Sequence, residues 1–149
     1  MRSCFELSNG VQMPKIGFGT YKSTDGSDER VIGQALEAGY RLLDTAAAYK
    51  NEEQVGKAIA RSGISRKEIF LTSKVWKTDL GYENTKKSFQ ESLERLQTDY
   101  LDLFLLHWPK PDPEFADWKE LDRESWRTLE ELYKEGKVRA IGVSNFLPH

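Results

Sequence analysis

Residues 100–108 read YLDLFLLHW. The run is short, nearly continuously apolar, and ends in a histidine, His107, followed by Trp108. Such a run suits a strand covered on both faces, as in a parallel sheet. Upstream, Tyr82, Phe89, Leu93 and Leu96 share one face of a predicted helix over about 82–97. Before it, residues 69–76, IFLTSKVW, read as another strand. Downstream, Pro109, Pro111 and Pro113 open a long irregular loop. Trp126, Leu129, Leu132 and Tyr133 then mark a helix stopped by Gly136, and residues 138–145, VRAIGVSN, read as a strand.

The same alternation runs back to the start. Residues 41–45 are a strand, and Asn51 is placed to cap the next helix, with Gln54 as its capping-box partner. Val55, Ala58 and Ile59 give that helix its buried stripe, and Gly63 ends it. Val31, Ile32, Ala35, Leu36 and Ala38 have helical spacing before Gly39. Residues 16–21, IGFGTY, form the first strand of the series, and 23–28 a polar turn. At the N-terminus, Ser8-Asn9-Gly10 between two short extended runs predicts a β-hairpin, since Asn and Gly tolerate positive φ. Alternating strands and helices with short connections predict an α/β fold with a parallel sheet and helices outside it.

Composition narrows the function. The 149 residues fit one domain, 1–149. Basic residues number 22 and acidic 24, well interspersed, for a net charge of -2. Nucleic acid and membrane surfaces both call for a clustered basic face, so neither is an expected partner. The single cysteine, Cys4, cannot form an intrachain disulfide and fits a reducing compartment. Without an apolar signal core or a run of membrane-spanning length, a cytoplasmic location is expected.

Each predicted strand ends in a polar group: Thr20, Asp44, Lys74, His107, and Ser144 with Asn145. The C-terminal ends of parallel strands share one rim, which in (β/α)₈ barrels is the active-site face. Tyr49 lies five residues after Asp44. These residue types support acid catalysis on a carbonyl. A free phenol titrates near 10 and is a reluctant proton donor at neutral pH; a neighbouring ammonium favours its ionised form. A carboxylate keeps that ammonium charged and oriented, so Asp44, Lys74 and Tyr49 read as a tuning chain with Tyr49 as proton donor. His107 is placed to hydrogen-bond the same carbonyl oxygen. Because no side chain donates hydride, a nicotinamide cofactor is required. No metal ligand set is expected. Gly17-Phe18-Gly19 lacks the GxGxxG spacing and is not read as a dinucleotide fingerprint.

GFGTY at 17–21, LLDTAAAYKNEEQVGKAI at 42–59, LTSKVW at 71–76, LDLFLLHWP at 101–109 and GVSNF at 142–146 closely resemble the aldo-keto reductase superfamily, in order and over essentially the whole chain. The likeness is greatest to its 2,5-diketo-gluconate and methylglyoxal reductase group. The resemblance implies a TIM-type (β/α)₈ barrel that reduces aldehydes and ketones with NADPH. It implies the catalytic set Asp44, Tyr49, Lys74 and His107. It implies Gly19, Thr20, Tyr21, Asp44, Ser144 and Asn145 near the cofactor, with the last two on its carboxamide. It further implies Tyr21, Trp76, His107 and Trp108 around a small carbonyl substrate.

Against that resemblance the chain is short. Eight strands close such a barrel over roughly 250 residues, whereas this sequence carries five strands and four helices. The expectation is a truncated barrel without the family's adenosine-phosphate grip, weakly active or inactive alone. Its open sheet edges are an association hazard, so self-association, or a non-catalytic scaffold role, is the alternative. A Schiff-base lyase would need a neutral lysine, and Asp44 beside Lys74 argues for a charged one.

Overall fold

The computed structural model describes residues 3–24, 28–109 and 116–147. Part of the polar turn at 23–28, the loop prolines Pro111 and Pro113, and Pro148 and His149 lie outside the described residues.

The N-terminal hairpin pairs β1, Cys4–Glu6, with β2, Gln12–Pro14, antiparallel, with Phe5 opposite Met13. Its connection is a five-residue loop rather than a tight two-residue turn. Leu7 N–H donates to Val11 O at 2.9 Å and Gly10 N–H to Leu7 O at 2.8 Å. Gly10 takes the left-handed conformation at φ +83°, while Asn9 stays at negative φ. The Asn9 side chain reaches across the chain instead, and its Nδ2 donates to Arg139 O at 2.8 Å.

Five parallel strands follow: β3 (Phe18–Gly19), β4 (Leu42–Asp44), β5 (Phe70–Val75), β6 (Leu103–Leu106) and β7 (Ile141–Val143). They lie side by side in sequence order. Between them run α1 (Arg30–Glu37), α2 (Glu52–Arg61), α3 (Tyr82–Leu96) and α4 (Trp118–Lys134). This is the expected α/β architecture, an N-terminal hairpin and five parallel strands with four helices.

Apolar spacing explains the helices. Ile32, Ala35 and Leu36 bury one side of α1. Gly39 at φ +102° ends it, as Tyr40 N–H bonds Ala35 O and Gly39 N–H bonds Leu36 O, which is a Schellman stop. Phe89, Leu93 and Leu96 bury α3, and Phe89 meets Phe104 of β6 edge-on at 5.1 Å. Fully burying side chains of this size contributes roughly 1.5–3 kcal/mol each. Gly56 lets α2 lie against the end of α3, where a Cβ would stand 2.7 Å from Leu96 O.

Three expectations need correction. The strands are shorter than predicted: IGFGTY keeps only Phe18–Gly19, because among the described residues β3 has a neighbour on one side only. The run YLDLFLLHW is not covered on both faces. Phe104 and Leu106 are buried under the helices, whereas Leu103 and Leu105 are half-buried on the opposite face. Asn51 sits at the head of α2 but makes no side-chain cap; its amide is engaged elsewhere. In addition, α4 begins at Trp118, two turns before the apolar pattern shows it.

Strand parity decides what reaches the site. Leu43, Leu71, Val75, Phe104 and Leu106 join the helix-side core. Their alternates Asp44, Lys74 and Leu105 point to the other face, since successive residues alternate. The register sets Gly19 beside Asp44, Asp44 beside Thr72, and Lys74 beside Leu105.

Candidate active site

The polar strand ends come together at one rim. Lys74 is 6% exposed at the end of β5. Its Nζ donates to Asp44 Oδ1 at 2.6 Å and to Thr45 O at 2.9 Å, and stands 3.5 Å from Tyr49 Oη. Tyr49 arrives on a single 3₁₀ turn, Ala47–Tyr49, just after β4. Tyr49 N–H bonds Ala46 O, and Lys50 follows in the left-handed conformation at φ +57°. This compact turn folds the phenol back over the lysine. The Tyr49 ring meets His107 edge-on at 5.6 Å and Tyr21 at 5.0 Å, and Trp76 meets His107 at 5.2 Å.

Above these groups opens a cleft of about 640 Å³. Tyr21, Tyr49, Trp76, His107, Trp108 and Asn145 line it, with Lys50 and Asp79 also contributing. Tyr21 and Trp108 are well exposed at its mouth, at 61% and 44%. Asn145, at φ +62°, donates Nδ2 to His107 O at 2.9 Å and to Ser144 Oγ at 3.0 Å, fixing β7 to the end of β6. Thr20 is wholly buried, and its hydroxyl donates to Asp44 O at 3.1 Å. Its side chain therefore braces β4 rather than facing the cleft. Gly19 stands next to Asp44 with nothing within 4 Å of where a Cβ would project.

The model of the Aldo/keto reductase family matches residues 15–149. The chain belongs to the aldo/keto reductase family. A similar protein is the glyoxal reductase of Bacillus subtilis, 51% identical, with the match covering 100% of this chain and 51% of that protein. A crystal structure of an aldo/keto reductase from Brucella melitensis superposes with a TM-score of 0.90 at 46% identity, over 99% of this chain and 55% of that one. A Bombyx mori aldo-keto reductase in complex with NADP gives 0.85 at 38% identity, over 97% and 51%. The chain thus spans about half the length of the relatives it matches.

In this aldo/keto reductase chain the electrostatics centre on His107. Burial holds its pKa below the ordinary value near 6.5, and the Lys74 ammonium lowers it further against a smaller opposing effect of Asp44. Its Nδ1 is buried without a hydrogen-bond partner among the described residues. An unprotonated ring nitrogen tolerates that position better than an N–H, which favours the tautomer protonated at Nε2.

The sign of the resulting pH effect is definite. Between its lowered native value and 6.5 the unfolded chain holds more protons at His107 than the native one. Stability therefore falls as pH drops through that window, and no contribution of this group is lost above it. An imidazole NMR titration should place the His107 midpoint below 6.5, and Lys74→Met should raise it. A midpoint unmoved by Lys74→Met would contradict the electrostatic account.

Sequence reasoning missed two buried carboxylates that tie helices and strands together outside the rim. Glu52, 2% exposed, accepts from Ser73 Oγ at 2.6 Å and from Arg95 Nε at 2.7 Å, linking α2, β5 and α3. Asp102, 1% exposed, accepts from Leu71 N–H, Arg66 Nη1 and Arg139 Nη1, each at 2.9–3.0 Å. For Asp102 a signal existed: it is the one acid inside an apolar strand run. Glu52 carried none, because its partners are 21 to 43 residues away.

Proposed function

We propose that this chain carries the proton-transfer half of an NADPH-dependent carbonyl reductase site, acting on small aldehydes and ketones. The observation that carries the reading is the Lys74 ammonium, bonded to Asp44 and 3.5 Å from the Tyr49 hydroxyl at the base of an aromatic cleft. Tyr49 donates the proton to the carbonyl oxygen. Lys74 lends positive charge where the phenol oxygen becomes negative, and Asp44 keeps that ammonium in place. His107 donates from Nε2 to the carbonyl oxygen and orients it. Tyr21, Trp76 and Trp108 give the cleft its apolar walls.

The rim fits a nicotinamide cofactor. Gly19 leaves open space beside Asp44, and Asn145, with Nδ2 already spent on His107 O, keeps Oδ1 to accept from a carboxamide N–H. NADPH supplies the hydride when bound. The relatives support the cofactor and the substrate class, one named glyoxal reductase and another a complex with NADP. We read residues 1–149 as one domain equivalent to the first five strands of an eight-stranded barrel. We also read the protein as cytoplasmic; no helix among the described residues is long and apolar enough to cross a membrane.

The reading is tested by NADPH consumption with methylglyoxal, beside a fluorescence titration with NADPH alone. Saturable NADPH binding with slow turnover is expected of the 149-residue chain. The absence of both binding and turnover would overturn the assignment. A second reading, self-association of a weak or inactive half-barrel, is favoured by the half-buried Leu103 and Leu105 and by the single strand neighbour that β3 and β7 each have among the described residues. A monomeric mass in solution would remove it.

A further inference from the structure

Tyr49 is held weakly by its own side chain. Among the described residues its hydroxyl has only the long 3.5 Å approach of Lys74, and its ring only the aromatic contacts with Tyr21 and His107 and the cation above it. What holds the turn that carries it lies on either side. Thr45 Oγ1 donates to Asn51 Oδ1 at 2.9 Å, closing the segment 45–51 side chain to side chain around the Tyr49 turn. Asn51 Nδ2 donates to Thr20 O at 2.7 Å, tying that closed segment to the end of β3. Thr45 N–H bonds Thr72 O, and Thr45 O accepts from Lys74 Nζ. Thr20, Thr45 and Asn51 are 0%, 0% and 2% exposed.

We propose that Asn51 is a positioning residue for Tyr49: its buried amide clasps both ends of the turn and sets the phenol against Lys74 and the cleft. The inference rests on the reading of Tyr49 as proton donor. An amide is what the place requires. One end must accept from the Thr45 hydroxyl, and the other must donate to the Thr20 carbonyl, which can only accept. Aspartate offers no donor and would set a buried charge against that carbonyl oxygen. The side chain makes no helix cap, so simple capping of α2 does not account for it. A turn closed by one buried amide transmits any slackening directly to the tyrosine.

The test compares Asn51→Ala, Thr45→Val and Thr45→Ser. Thr45→Val removes only the donor to Asn51, and serves where Asn51→Ala fails to fold. Thr45→Ser restores that donor. The first readout is the NMR resonance of tyrosine labelled at the phenol carbon, with Tyr49 assigned by its loss in Tyr49→Phe. Asn51→Ala and Thr45→Val should shift and broaden the Tyr49 signal, and Thr45→Ser should return it to its wild-type position. The second is turnover, where misplacement of a reacting group is expected to lower kcat on the order of 100-fold with KM unchanged. A Tyr49 resonance unmoved in both Asn51→Ala and Thr45→Val, with only the melting temperature lowered, would overturn the proposal. Failure of the donor assignment shows separately, as wild-type turnover by Tyr49→Phe.

Discussion

Tyr49→Phe lowers turnover by roughly 10²–10⁴-fold, the range for loss of a positioned general acid, and leaves the fold intact. The structural cost is small because, among the described residues, the hydroxyl makes only the 3.5 Å contact with Lys74. The ring contacts with Tyr21 and His107 survive the substitution. The chemical cost is large because the ring without its hydroxyl has no proton to give. The next acidic group at the cleft base, the Lys74 ammonium, is committed to Asp44 and Thr45. The measurement is kcat with NADPH and methylglyoxal, beside a thermal melt. A variant that melts and turns over like the wild type would show that the proton comes from elsewhere.

Asp102→Ala is expected to have the largest effect on stability, about 3–5 kcal/mol, the usual result of breaking a buried charge cluster by removing one partner. Leu71 N–H loses its acceptor inside the sheet and cannot turn to water. Arg66 keeps its hydrogen bonds to Ile69 O, Thr98 Oγ1 and Tyr100 O, but at 19% side-chain exposure its charge is left without the buried counter-ion. The Arg139 side chain is 49% exposed and can reach solvent, so its share of the loss is small. Urea denaturation measures the change. Asp102→Asn should lose less, since its carbonyl oxygen still accepts from Leu71 N–H. Equal losses in the two variants would mean that the ion pairs, and not the strand N–H, dominate.

The rim was legible in the sequence because of a simple coincidence of patterns. A short apolar run followed by one polar residue marks the end of a strand, and Asp44 and His107 each stand at such an end, while Lys74 is a lone charge near the end of IFLTSKVW. In-register parallel strands then carry them to one place. Tyr49 was legible only together with them, since its turn depends on Lys50 in a left-handed conformation that no sequence pattern announces. The role of Asn51 was misread. Its position before an apolar stripe looks like a cap, and only the three-dimensional approach of Thr20, 31 residues earlier, shows where the amide goes. YLDLFLLHW was misread on one face for a related reason. Apolarity shows that a residue tolerates cover, and the packing alone shows whether cover is there.

The central claim is that Tyr49 and Lys74 act as one proton-donating unit, and a double-mutant cycle tests it most directly. Single-turnover reduction of methylglyoxal by NADPH would be measured for the wild type, Tyr49→Phe, Lys74→Met and the double variant. If the two side chains act as a unit, the double variant loses no more than the worse of the two single variants. Losses that add in free energy across the cycle would contradict the account and make Lys74 an independent contributor to the site.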